Sequence, residues 1–133
     1  MINIYKKKDD LIEEISSIEK NCWINALQPN LVELNEISKT LDIPEEFLTD
    51  PLDIDKKPRI EIEGEHLLII LRIPHHEKSN AQNPYSTIPL GIVLTQNTII
   101  TVCSIESDVI SNLLDRKHII CYPRKESCVM PIS

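Results

Sequence analysis

Asp50, Asp53 and Asp55 are the side chains of this sequence best suited to chemistry. They fall at the end of a predicted short helix and in the turn after it, just ahead of two strand-like runs at residues 59–63 and 66–73. Carboxylates are hard oxygen donors, so this stretch gives the domain a cation-attracting edge. Asp50 is also readable as a solvated carboxylate or a cap on the turn before Pro51, and Asp53 and Asp55, beside Lys56 and Lys57, as a solvated turn. His75, His76 and Glu77 form a second candidate, because imidazole suits Ni2+, Co2+ or Zn2+. Adjacent histidines on a strand point to opposite faces, so this group reads as part of a surface loop. His66 and His118 have no partner at ligand spacing. For catalysis there is no nucleophile elbow, no dyad spacing and no paired-carboxylate motif, and an enzyme is not expected. With two glycines in the chain, neither a GxGxxG nor a Walker A phosphate loop can be written.

The elements that hold these residues must form one domain. A chain of 133 residues buries roughly two-thirds of its unfolded surface, enough for a single core. The hydrophobic share of 41% with 4% aromatic makes that core one of Ile, Leu and Val. A net charge of −7 repels phosphates and argues against a nucleic-acid partner. The longest apolar stretch, residues 88–94, is far too short to span a membrane, and the N-terminus has no signal-peptide pattern, so a soluble, intracellular piece is expected. The cysteines Cys22, Cys103, Cys121 and Cys128 are widely spread without a CxxC; they read as free thiols, with Cys22 and Cys103 in the core.

In chain order, residues 2–5 read as a strand and 6–10 as a turn. Residues 11–15 fit either a helix or a short strand. Residues 22–26 read as a buried strand with Trp23 in the core. The clearest helix spans 29–41, with Leu31, Leu34, Ile37, Ser38 and Leu41 on one face. A shorter helix begins near Pro44, where Glu45 and Glu46 suit the positive end of its dipole. The alternation over 59–63 gives Ile60 and Ile62 a buried face and Arg59, Glu61 and Glu63 a wet one. Residues 66–73 read as an interior strand covered on both faces, and 74–86 as an exposed loop. Residues 87–94 and 98–103 form a hairpin around Gln96-Asn97, with Pro89 at an edge or bulge. Ser107 or Asp108 caps a helix running to about Leu114, and residues 117–122 read as a weak strand or linker. This order predicts an α/β protein, an α/β/α sandwich on a mixed sheet.

Several of these marks, in their order, are specific. Trp23-Ile24-Asn25 precedes a helix start with Pro29 and Glu33; the next helix ends in Thr49-Asp50-Pro51-Leu52; a Lys-Pro-Arg-Ile-Glu strand starts at Lys57, and an apolar strand ends at Ile73-Pro74. Ile88-Pro89-Leu90-Gly91-Ile92 and Thr98-Ile99-Ile100-Thr101-Val102 supply a second hairpin. Over residues 1–116 the sequence resembles the N-terminal cytoplasmic domain of the CorA-like divalent-cation transporters. The resemblance implies a CorA soluble-domain fold over residues 1–125, with a tail at 126–133 that has no family look.

It further implies an ion-sensing, regulatory domain of a Mg2+/Co2+ transporter, cytoplasmic and part of a homo-pentamer around one pore. In such proteins divalent ions bind between neighbouring domains, and one ligand is an Asp at the position of Asp50, so regulatory Mg2+ is the implied ion, held by Asp50 only in the assembled transporter and weakly or not at all by the isolated domain. The residue before it is often Glu in relatives and is Thr49 here. The Gly-Met-Asn pore signature and both membrane helices have no counterpart in this sequence. The chain by itself is therefore expected not to conduct and to be a monomer or weak dimer. The alternative is a stand-alone soluble interaction module that keeps the fold without transport.

Overall fold

The computed structural model describes residues 1–8, 11–76, 85–106 and 109. Its strands are β1 (Ile2–Lys8), β2 (Leu11–Ile15), β3 (Cys22–Leu27), β4 (Arg59–Glu63), β5 (His66–His76), β6 (Tyr85–Leu94) and β7 (Thr98–Cys103). Between β3 and β4 come the helices α1 (Leu31–Leu41) and α2 (Glu45–Thr49) and one turn of 3-10 helix, Asp50–Leu52. The strands make one mixed sheet in the order β2-β1-β3-β7-β6-β5-β4. β3 and β7 are parallel and the other neighbours antiparallel. The α/β architecture on a mixed sheet is the one the sequence predicts.

Helix α1 starts at a capping box. The Asn30 side chain accepts from the Glu33 N–H at 2.8 Å, and the Glu33 carboxylate accepts from the Asn30 N–H at 3.0 Å. Pro29 thus lies before the cap rather than inside the helix. Leu34, Ile37, Phe47 and Leu48 bury themselves against Ile24, Leu68, Ile70, Val93, Ile100 and Val102 of the sheet. Each such side chain contributes about 1.5–3 kcal/mol relative to exposure. Leu31 does not join them: in the first turn of α1 it stands clear of the sheet, 70% exposed. On the opposite face Trp23, Ile73, Ile88, Leu90, Ile99 and Cys103 form a second cluster, and Val109, a helical residue, packs on it. The rest of the helix expected to about Leu114, and residues 117–122, lie outside the described residues.

Several expectations change. Residues 11–15 are a strand, because pairing with β1 sets Ile15 opposite Ile4 and against the core. Lys6 and Lys7 belong to β1, not to a turn, since the same ladder carries them past the core edge. Pro74, His75 and His76 pair with Thr87, Ser86 and Tyr85, so the predicted 74–86 loop is in part ladder: the β5/β6 backbone pairing runs on past Ile73 and Ile88. Residues 77–84 lie outside the described residues. Pro89 is in an interior strand, but β7 ends opposite Leu90, so its missing N–H falls one residue past the last β6/β7 pair. β4 is the sheet's edge, and its alternation does not bury Ile60 and Ile62, which are 69% and 73% exposed. On β5 the helix-side Leu68 and Ile70 are buried, whereas Leu71 on the other face is exposed. Both departures have one cause: among the described residues nothing covers that corner of the second face.

Candidate functional site

The acidic tip is held in place from three sides. α2 is anchored by Phe47 and Leu48, and the chain then tightens into the 3-10 turn with Pro51 buried. Pro51 lies directly over Gly91 of β6: a Cβ at Gly91 would come within 2.2 Å of the proline Cγ. Only glycine leaves room for this contact, and it fixes the turn, with Asp50 at its start, close to the sheet.

Arg72 of β5 secures the following loop. Its Nη1 donates to the carbonyls of Ile54 (3.0 Å) and Lys56 (2.9 Å). Its Nε and Nη2 donate to the Thr87 hydroxyl (2.9 Å) and carbonyl (2.7 Å). One planar guanidinium thus ties the 53–56 turn to β5 and β6. Within that turn the Asp53 carboxylate accepts from the Asp55 N–H at 3.0 Å, and the Asp53 carbonyl accepts from the Lys56 N–H at 3.0 Å. Asp53 and Asp55 therefore serve the exposed turn rather than joining Asp50 at a common point.

The Asp50 side chain is 25% exposed and already has cationic company. Arg59 Nη2, from the start of β4, donates to its Oδ2 at 2.5 Å, and the same nitrogen donates to Glu61 Oε2 at 3.1 Å. Lys56 Nζ lies 4.0 Å from the other oxygen, Oδ1. The carboxylate holds the Arg59 guanidinium more firmly in its charged form, raising its pKa above the ordinary value. Two carboxylates and two cations thus share a half-exposed patch at one corner of the sheet.

Among the described residues no three His, Cys, Asp or Glu side chains converge on one point. A divalent cation would meet the Asp50 carboxylate with Arg59 and Lys56 competing for it, and Glu61 held by Arg59 beside it. The donor chemistry of Asp50 fits Mg2+, as one contribution to a shell otherwise filled by water or by a neighbour's oxygens.

The other candidates do not converge. His75 and His76 are successive residues of β5, and Glu77 lies outside the described residues. His66 Nε2 is 2.9 Å from the Asp42 carbonyl at the end of α1. His118, Cys121 and Cys128 also lie outside the described residues. Cys22 and Cys103 are buried free thiols, and desolvation raises the pKa of both. Trp23 is core: its Nε1 donates to the Thr101 hydroxyl at 2.9 Å, which donates to Asn25 Oδ1 at 2.9 Å. The sequence reading missed the Gly91 notch, the Arg72 clamp and the pairing of Asp50 with Arg59. A glycine inside an apolar strand run was the available signal for the first; the other two join residues whose proximity depends on sheet order.

Residues 19–125 match the model of the CorA-like Mg2+ transporter protein family. The chain belongs to that family. Solved structures agree with the fold of this CorA-like chain. The complete structure of the CorA magnesium transporter from Methanocaldococcus jannaschii aligns with a TM-score of 0.72 at 24% identity, over 86% of this chain and 36% of that one. The soluble domain of CorA from the same organism aligns with a TM-score of 0.72 at 26% identity, over 86% of this chain and 45% of that one. The ZntB cytoplasmic domain from Vibrio parahaemolyticus shares the fold at 14% identity and a TM-score of 0.65, over 87% and 50% of the two chains. This CorA-like chain thus spans half or less of the length of these relatives. Curated proteins yield no match. Among the described residues no helix is long and apolar enough to cross a membrane.

Proposed function

We propose that this CorA-like chain is the ion-sensing, regulatory lobe of a divalent-cation transporter that carries Mg2+ or Co2+, on the cytoplasmic face of a pentamer. Asp50 gives one carboxylate to a regulatory site that a neighbouring subunit completes. The observation that carries this reading is the placement of Asp50: an accessible carboxylate on a turn fixed by the Pro51 and Gly91 contact and next to the Arg72 clamp. A clamp built from two rigid lobes converts ion binding into a preference for one packing of the subunits.

The energetics ask little of each half-site. Moving a two-state equilibrium from 1:99 to 99:1 takes about 5.5 kcal/mol of differential binding, so five equivalent interfaces need about 1.1 kcal/mol each. A single carboxylate on each side, with the remaining shell left to water, suffices. In this reading the rest of the transporter's length supplies the pore, and this lobe alone is a monomer or weak dimer. Membership of a transporter family leaves the stand-alone module without a specific observation in its favour.

The test is electrical. The complete transporter, reconstituted in vesicles, is expected to carry current that internal Mg2+ suppresses, and Asp50→Asn is expected to weaken that suppression about tenfold or more in Mg2+ concentration. Suppression unchanged by Asp50→Asn would show that the carboxylate has no sensing role.

A further inference from the structure

We infer that Arg59 is a built-in competitor for the Asp50 carboxylate, seated on it in the ion-free lobe and displaced from it when a divalent cation binds, while keeping its bond to Glu61. The inference rests on the reading of Asp50 as an ion ligand and says what sets the strength of that site. One nitrogen, Nη2, reaches Asp50 Oδ2 at 2.5 Å and Glu61 Oε2 at 3.1 Å. Arg59 and Glu61 are two residues apart on β4, so their side chains share a face. Leaving Asp50 therefore costs the guanidinium one of two carboxylate partners and needs no backbone movement. The Arg59 and Lys56 side chains are each 34% exposed, so water can take over the donors that a displacement frees.

Charge decides the direction. With Arg59 seated, the two carboxylates Asp50 and Glu61 balance the two cations Arg59 and Lys56. An ion of charge +2 on Asp50 overloads that balance, and the two positive side chains are the groups free to move. Lys56, at 4.0 Å from Oδ1, contributes the weaker share of the competition. A sensor has to release its ion as well as bind it, and a competing cation in the same lobe keeps the site from filling permanently. Because one guanidinium nitrogen serves both carboxylates, Arg59 stays tethered to Glu61 when Asp50 is taken from it.

Two readouts on the chain itself, at ion concentrations high enough to fill the weak half-site that one lobe carries, test this: Mn2+ titration followed by paramagnetic broadening of the Asp50 amide signal, and Mg2+ titration followed at the Arg59 Nε–H signal. Arg59→Gln is expected to tighten Mn2+ binding about three- to tenfold, the range set by a half-exposed charge pair. Lys56→Gln is expected to give a smaller gain. Arg59→Lys, which restores the charge, is expected to return affinity to within about twofold of the parent. In the parent chain the Arg59 Nε–H signal is expected to shift in step with Mg2+ saturation. If Asp50→Asn in the Arg59→Gln background leaves the broadening unchanged, Asp50 is not the ligand and the underlying reading falls with the inference. If Asp50 is required but Arg59→Gln binds no more tightly and the guanidinium signal stays still, the ion site survives and the competitor role is overturned.

Discussion

At the scale of single residues, the most consequential polar contacts are buried rather than acidic. The Thr101 hydroxyl accepts from Trp23 and donates to Asn25, with all three side chains in the interior. Thr101→Val keeps the shape and removes both bonds, leaving an indole N–H and an amide oxygen without partners. Each orphaned buried group costs about 1–3 kcal/mol, so the expected loss for the two is about 2–6 kcal/mol of stability in urea denaturation. Thr101→Ser keeps the hydroxyl and is expected to lose less. Trp23, the only tryptophan in the chain, reports the unfolding by its fluorescence. The core role of Trp23 could be read from the run Cys-Trp-Ile-Asn-Ala. Its partner could not, because the two lie 78 residues apart and meet only through the parallel pairing of β3 with β7. The same holds for Asp50: in the sequence it groups with Asp53 and Asp55, and in space it pairs with Arg59 and Lys56.

At the scale of elements, the site depends on how a short helical turn meets a strand. Gly91→Ala would set a methyl group against the Pro51 ring, which is backed by the buried end of α2. Overpacking of this kind costs about 1–3 kcal/mol, measurable as a lower urea midpoint. A shift of the Asp50 amide signal in the same variant would show the turn moving with it. The start of α1 offers a second element-scale test, through pH. The Asn30 N–H, bonded to the Glu33 carboxylate, holds that carboxyl's pKa below its ordinary value, with the N-terminal amine adding to the effect. A depressed folded-state pKa means the stabilisation is fully present above the unfolded pKa, about 4.3, and is lost as pH falls through the lower folded value. The stability gap between the parent chain and Glu33→Gln is therefore expected to be constant near neutrality and to close on acidification below about pH 4. Both helices and the 87–103 hairpin were legible because periodicity and turn chemistry are local. The ends of elements were less so: Pro29 looks like a first helical residue until the Asn30 cap is seen, and the polar residues after Ile73 look like a loop until β5 and β6 are seen to pair beyond the core.

At the scale of the whole molecule, alternation reveals that a strand has two faces but not what lies over each. β4 reads the same whether it is interior or at an edge, and here it is the edge. The face with Arg59 and Glu61 turns to the side of the sheet that carries α2 and the Asp50 turn, while Ile60 and Ile62 turn to the other. There the register sets them beside Ile69 and Leu67, continuing toward the cluster of Ile73, Ile88 and Leu90. This half of the second face distinguishes the expected arrangement from the observed one. If Ile60 and Ile62 were core residues, replacing both with lysine would bury two unpaired charges, and the protein would lose several kcal/mol. At 69% and 73% exposure the same double substitution falls in the class of surface changes, within about 0.5 kcal/mol per site. It also adds charge to an exposed apolar edge strand, the standard protection against edge-to-edge pairing. The expected outcome for Ile60→Lys with Ile62→Lys is an unchanged urea midpoint together with less self-association in sedimentation velocity. A large drop in the midpoint would mean that this corner of the sheet is covered in solution and that the lobe's second layer reaches β4.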